Sequence, residues 1–417
     1  MFLDIQLFGA DARIRVFDII LLLLTLHYAT AVATSGSFRR IAGQDVIYAY
    51  LLLATYFILN AALLTSVTEA FKELIQTISY IAFFWILTDL LGDKRRFQIF
   101  FTSFLFGIWA LSLFNAGSFM ARGNFQGFKQ DAGSLKLTHG YSLVITVLWA
   151  IYSAKRRNFR TTLLLVIVAF ALTLLSGERK AWLAAIAALM LATSISNSGR
   201  IAPGRLLGRA LMIVALILPL LIVAKASDEK SYVSKQLTST FSAFNKFMDP
   251  SYNAIDDAQD TVSNRARLYV TKQAQDVVAT RPIFGLGLGQ FFPYVKSKSL
   301  SLPKEMSGGV HNEYLRIAAE TGFVGISLYF IWFFIIFRRS MICVRSLPYL
   351  DHQTRFRIRV GIAMLVFGFV MIAFRAGSSF TVLIIFMPTA YLYFPSLVIR
   401  LPNGNIRLAS PTYVPSQ

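Results

Sequence analysis

The chain has 417 residues, is 56% hydrophobic with a mean hydropathy of +0.58, and carries a formal net charge of +20. A soluble core does not need that apolar fraction, and the apolar runs do not alternate as the strands of an outer-membrane barrel would. So basic a soluble protein would suggest nucleic acid, but here the basic residues mostly punctuate apolar runs and read first as topology signals.

Taken in chain order, apolar runs fit to cross a bilayer fall near 16–34, 46–66, 72–91, 97–114, 139–154, 161–175, 181–198, 209–225, 320–337, 358–374 and 378–399. The pattern predicts an all-α polytopic integral membrane protein with about 11–12 transmembrane helices. The first run has no cleavage site and leads directly into further runs, so no cleavable signal peptide is expected. Alternate connections are basic: Arg39 and Arg40; Lys94, Arg95 and Arg96; Lys155, Arg156, Arg157 and Arg160; Arg200, Arg205 and Arg209; Arg338 through Arg359; and Arg400 with Arg407. The positive-inside rule puts these in the cytoplasm. The N-terminus is then outside, and so is one large polar loop. This divides the chain into an N-terminal membrane part (1–225, about eight spans), the outer loop (226–319) and a C-terminal membrane part with a cytoplasmic tail (320–417).

The loop is too polar to span and too long to be a simple connector. Within it LYVTKQAQDVVAT, residues 268–280, reads as an amphipathic helix with Leu268, Ala274, Val277 and Val278 on its apolar side. It is followed by Pro282 and three alternating glycines, Gly285, Gly287 and Gly289. The glycines lack the spacing, preceding strand and cytoplasmic address of a dinucleotide loop, and are expected to allow close backbone packing against a span.

Three outer stretches could carry chemistry. In LLSGERKAWLA (174–184), Arg179 and Lys180 stand together at the membrane edge, where they call for an anionic partner or snorkel beside Glu178. The second stretch, from Asn264 to Phe291, begins with Arg265 and Arg267. In the third, His311 and Asn312 follow Gly308 and Gly309 and open a helix leading into the span at 320–337. A helix start presents outward-pointing amides that favour anions, phosphate included. His311, Leu315, Ala318, Ala319 and Gly322 are expected on one helical face, mostly small, so that something bulky could approach. Taken alone, the histidine and each cationic pair could equally be structural. All three stretches fall on the outer side, however, and arginines with a histidine and a helix start suit a phosphate-bearing lipid. No cluster of acidic or Cys/His ligands accompanies them, so no metal and no cofactor are expected. A loop at 115–138 carries Arg122, Lys129 and Lys136, and His139 opens the next span; these could meet acceptor phosphates or simply be solvated. His27 reads as packed within a span. His352 and Cys343, the sole cysteine, read as cytoplasmic-loop residues without chemistry.

These residues resemble the O-antigen ligase and O-antigen polymerase superfamily. The resemblance rests on Ser176-Gly177-Glu178-Arg179 between two spans. It rests also on Arg267 followed fifteen residues later by Pro282 and then Ile283-Phe284-Gly285-Leu286-Gly287, and on His311-Asn312 with Glu320-Thr321-Gly322. The family pattern has one span more before the first run read here. The resemblance implies a glycosyltransferase needing no metal at the periplasmic face of the bacterial inner membrane. Its donor would be an undecaprenyl-diphosphate-linked glycan and its acceptor lipid A–core for a ligase, or another lipid-linked repeat unit for a polymerase. It implies catalytic roles for His311, Arg179 and Arg267, with Arg265, Lys180, Asn312, Arg122 and His139 as substrate contacts. Membrane lipids are expected neighbours; nucleic acid and an obligate protein partner are not. A lipid-carrier flippase or transporter would need polar groups lining a path at mid-membrane. The runs offer little beyond Asn60 and Thr77.

Overall fold

The computed structural model describes residues 2–7, 10–15, 44–64, 94–121, 136–152, 159–175, 179–196, 262–298, 312–350, 352–373, 398–400 and 406–408, with isolated positions between them. Nine α-helices lie among the described residues: α1 (Gln44–Leu64), α2 (Lys94–Ala121), α3 (Lys136–Tyr152), α4 (Phe159–Leu175), α5 (Arg179–Ser194), α6 (Val262–Thr280), α7 (Phe291–Lys298), α8 (Glu313–Ser346) and α9 (His352–Ile372). Two short antiparallel hairpins flank them, β1 (Phe2–Leu7) with β2 (Ala10–Arg15) and β3 (Val398–Arg400) with β4 (Ile406–Leu408).

The apolar runs at 46–66, 97–114, 139–154, 161–175, 181–198, 320–337 and 358–374 coincide with α1, α2, α3, α4, α5, α8 and α9. Those at 16–34, 72–91, 209–225 and 378–399 lie largely or wholly outside the described residues, and the end of the last belongs to β3. Two stretches, Asp45–Leu64 and Glu313–Ser346, are long and apolar enough to cross a membrane by length and composition. Shorter apolar helices occupy His139–Tyr152, Arg160–Phe170 and Lys180–Ser194. α8 overshoots the expected run at both ends. Cys343 is therefore a buried helical residue rather than part of a loop, and His352 is the first residue of α9.

Two packing centres organise the apolar helices. In the first, α8 lies along α1: Tyr50 meets Trp332 at a ring-centroid distance of 5.0 Å, and Leu53, Phe57, Tyr329, Phe333 and Ile336 fill the seam. In the second, α5 presents Ala181, Ala184, Ala185, Ala188 and Ala192, all buried, at steps of three, four and seven residues. This small-residue stripe lets α3 and α9 approach closely. At the same seam a methyl group on Gly140 would come within 2.6 Å of the Phe367 ring.

Large apolar side chains point away from both centres. Leu52, Leu59 and Leu63 on α1, Phe106 and Phe114 on α2, Leu164 and Ile167 on α4, and Phe323, Phe330, Phe334 and Phe337 on α8 are exposed. On α8 they recur at helical spacing and form one stripe. An apolar belt of this kind suits hydrocarbon rather than water.

α6 and α7 form a smaller third unit. The amphipathic reading of α6 holds: Leu268, Ala274 and Val277 are buried and Val278 is half-buried. Val270, Ala274 and Val277 pack with Phe291 and Val295 of α7 onto Ala319 of α8, with Leu315 alongside.

Candidate functional site

α8 is not continuous. At Gly322 the backbone adopts φ 65° and ψ −164°, a conformation essentially confined to glycine. In an unbroken helix the amides of Phe323 and Val324 would bond the carbonyls of Ala319 and Glu320. The break strands all four groups, and the segment after α6 takes up each of them. Leu286 N–H donates to the Ala319 carbonyl at 3.0 Å and Gly287 N–H to the Glu320 carbonyl at 2.8 Å. In return, Phe323 N–H donates to the Pro282 carbonyl at 2.6 Å and Val324 N–H to the Ile283 carbonyl at 3.4 Å.

This exchange explains the local sequence. Pro282 cannot extend α6, because it lacks an amide hydrogen and restricts the residue before it, yet its carbonyl is free to accept. Gly285 and Gly322 face one another across the junction at φ 70° and 65°. A methyl group on Gly285 would lie 2.5 Å from the Glu320 carbonyl, and one on Gly322 would overlap the Ile283 carbonyl. Gly287 and Gly289 also hold positive φ, 108° and 78°. The expectation that the alternating glycines serve close packing against a span is met, and their partner is the break in α8.

Two side chains of α1 complete the junction. The Asn60 amide donates to the Phe284 carbonyl at 2.9 Å, and its Oδ1 accepts from Leu288 N–H at 2.8 Å. The Tyr56 hydroxyl donates to the carbonyl of Thr321, the residue next to the break, at 2.7 Å. Gly325 lets the Tyr56 ring close on α8.

The segment of α8 before the break begins as the sequence suggests. Asn312 is the N-cap, its side chain accepting from Leu315 N–H at 3.1 Å. Next to it lies a buried ionic triad that the sequence reading did not single out. The Arg316 guanidinium makes a two-pronged contact with Glu313, at 3.0 and 2.7 Å, and reaches Glu320 at 2.6 Å. Their exposures are 9%, 1% and 3% for Arg316, Glu313 and Glu320. The i, i+3 and i+4 spacing was the available signal. The face expected to be open to something bulky is closed, because α6 and α7 occupy it at Leu315 and Ala319. Nor does it reach Gly322, where the helical rotation ends.

Arg267 lies on α6 and is exposed, and Arg265 stands two residues before it on the same helix. Arg179 and Lys180 are the first two residues of α5, and Lys180 is half-buried. Cations at a helix N-terminus oppose the macrodipole by about 0.3–1 kcal/mol each. Their placement there makes α5 begin with concentrated positive charge. His139 is 1% exposed in the first turns of α3, and its backbone carbonyl accepts from Ser142 and Thr173 at 2.8 and 2.9 Å. His311 and Arg122 lie outside the described residues. Among the described residues, no three His, Cys, Asp or Glu side chains are grouped so as to hold a metal ion.

The described chain is thus a mainly helical protein with an apolar outer belt, whose longest helix is broken and rejoined beside a cation-bearing helix. A family model described as O-antigen ligase matches residues 163–330, a range containing all three motif stretches and the two backbone segments of the junction, though not Tyr56 and Asn60 of α1. The match supports placing the chain in the O-antigen ligase superfamily. No curated protein matches it.

Proposed function

We propose that the protein is a membrane-embedded glycosyltransferase that moves a glycan from undecaprenyl diphosphate to a hydroxyl of lipid A–core, facing the periplasm from the bacterial inner membrane. The polytopic topology, the outer position of the 226–319 loop and the division at 225 and 319 belong to this reading. The observation that carries it is the junction. It ties α6, which bears Arg267, to the short helical start of α8 that follows His311 and Asn312. Two of the three motif stretches are thereby held in one unit, and the family match spans them all.

In this reading Arg179 and Arg267 hold the donor diphosphate, with Lys180 and Arg265 adding positive charge. His311 takes the proton from the acceptor hydroxyl, whose oxygen attacks the anomeric carbon. The bond from that carbon to the diphosphate oxygen breaks with inversion, and the departing oxygen carries the new negative charge. A donor aimed at such developing charge contributes roughly 3–4 kcal/mol in a water-poor site. Asn312 holds the helix start that positions His311.

Purified protein in vesicles, given lipid-linked donor and lipid A–core, should produce transfer that a chelator leaves unchanged. Arg267→Ala should lower the rate about 100-fold or more. Because Arg267 is exposed, this variant should remain folded with an unaltered melting curve. Near-normal transfer by Arg267→Ala and by His311→Ala would sink the mechanism. In a deletion strain, full-length glycan retained on the carrier lipid would support ligation, and single repeat units on the core would indicate polymerisation instead.

A further inference from the structure

Asn60 is 3% exposed and stands in the apolar helix α1, near the end that meets the junction. A lone amide there is costly unless both its donor and its acceptor are used. Both are used, and beyond a hydrogen bond to Tyr56 one turn earlier they reach outside α1. They clamp the carbonyl of Phe284 and the amide of Leu288, on either side of the glycine pair Gly285 and Gly287. One turn earlier, Tyr56 engages the Thr321 carbonyl on the opposite bank of the same junction. One helix face therefore grips both backbones where they join. The glycine segment sits between α6 and α8, so whatever holds it also sets the spacing between α6, which bears Arg267, and the start of α8.

We infer that Asn60, assisted by Tyr56, is a positioning residue for the transfer reaction: it registers the α6–glycine–α8 unit against the membrane helix α1. This rests on the proposed function. Asn60 holds the backbone of the junction and also hydrogen-bonds the Tyr56 hydroxyl beside it, and it acts by keeping Arg267 and the start of α8 at a constant separation and depth. A shift of about 1 Å in such a frame can lower a rate about 100-fold.

The test uses full-length protein in vesicles, with rates divided by the folded fraction. Asn60→Leu, of similar shape and with no hydrogen-bonding groups, should lower kcat tenfold to 100-fold while the donor KM changes less than threefold. Tyr56→Phe, which removes a single hydroxyl, should lower kcat threefold to tenfold and serves if Asn60→Leu does not fold. A second readout is independent of activity. Nitroxide labels at Gln275→Cys on α6 and Leu63→Cys on α1, in a Cys343→Ala background, should give one narrow distance distribution that broadens with Asn60→Leu or Tyr56→Phe. A purely structural role would instead reduce the folded amount while leaving kcat of the survivors intact, and that result would overturn the inference. An unchanged distance together with kcat within twofold would do so as well. If the unsubstituted protein transfers no glycan yet the distance still broadens, the reaction assignment fails while the mechanical role of Asn60 stands.

Discussion

The alanine-lined seam of α3, α5 and α9 and the glycine junction between α6 and α8 solve the same problem, close approach of two backbones, by different means. In the seam, five alanines on one face of α5 remove bulk, and the helices meet through shape, with Phe367 tilted against Tyr141 at 4.4 Å between ring centroids. No backbone hydrogen bond need be broken, and many neighbours share each contact. At the junction a helix is opened, and its freed amides and carbonyls are matched one by one by a segment some forty residues away in sequence. Directional bonds of this sort contribute about 0.5–1.5 kcal/mol each when made, but about 1–3 kcal/mol is lost for each buried group left unmatched. The seam should therefore yield gradually to substitution, and the junction should fail abruptly.

That contrast can be broken or sharpened by measuring unfolding in detergent micelles. The largest loss is expected for Arg316→Met, about 3–5 kcal/mol, because Glu313 and Glu320 stay buried after their shared cation is gone. A loss below about 1 kcal/mol would mean that the triad is not a structural element. Next is Gly285→Ala, where left-handed strain of about 1–2 kcal/mol adds to overlap with the Glu320 carbonyl, for a total of about 2–4 kcal/mol. Transfer should disappear with it. An active, fully stable Gly285→Ala protein would show that the junction is dispensable. Ala188→Leu overfills the α5 stripe and should cost about 1–3 kcal/mol, with transfer per folded molecule retained. The smallest effect, within about 0.5 kcal/mol, is expected for Phe334→Ala on the exposed stripe of α8. A large loss there would mean that the stripe packs against protein rather than lipid.

The two regions also differ in how far they can be read from sequence. Periodic features announce themselves locally: the apolar runs that became α1, α3, α4, α5, α8 and α9, the buried face of α6, and the helix start at Asn312. The glycine series at 285–289 even signals close packing, since few other reasons place three such residues at alternate positions. What stayed hidden is pairwise and distant. Asn60 reads as a stray polar residue within a span, because its partners stand 224 and 228 residues further along. Gly322 reads as a small residue on a continuous helical face, because its non-helical conformation has meaning only once residues 282–287 are beside it. The triad at Glu313, Arg316 and Glu320 has ordinary helical spacing, and nothing in that spacing tells a buried network from a solvated one.

The junction also has a consequence for biogenesis. Tyr56 emerges from the ribosome 265 residues before Thr321, its hydrogen-bonding partner. α1 must therefore wait, with Tyr56 and Asn60 lacking their junction partners, through most of translation. A nascent chain halted before Val324 lacks one bank of the splice and so cannot have assembled the unit, however many of its earlier helices are inserted. Assembly of the junction therefore awaits delivery of α8, and a pulse of synthesis should show protease resistance of α6 appearing only after that helix has been made.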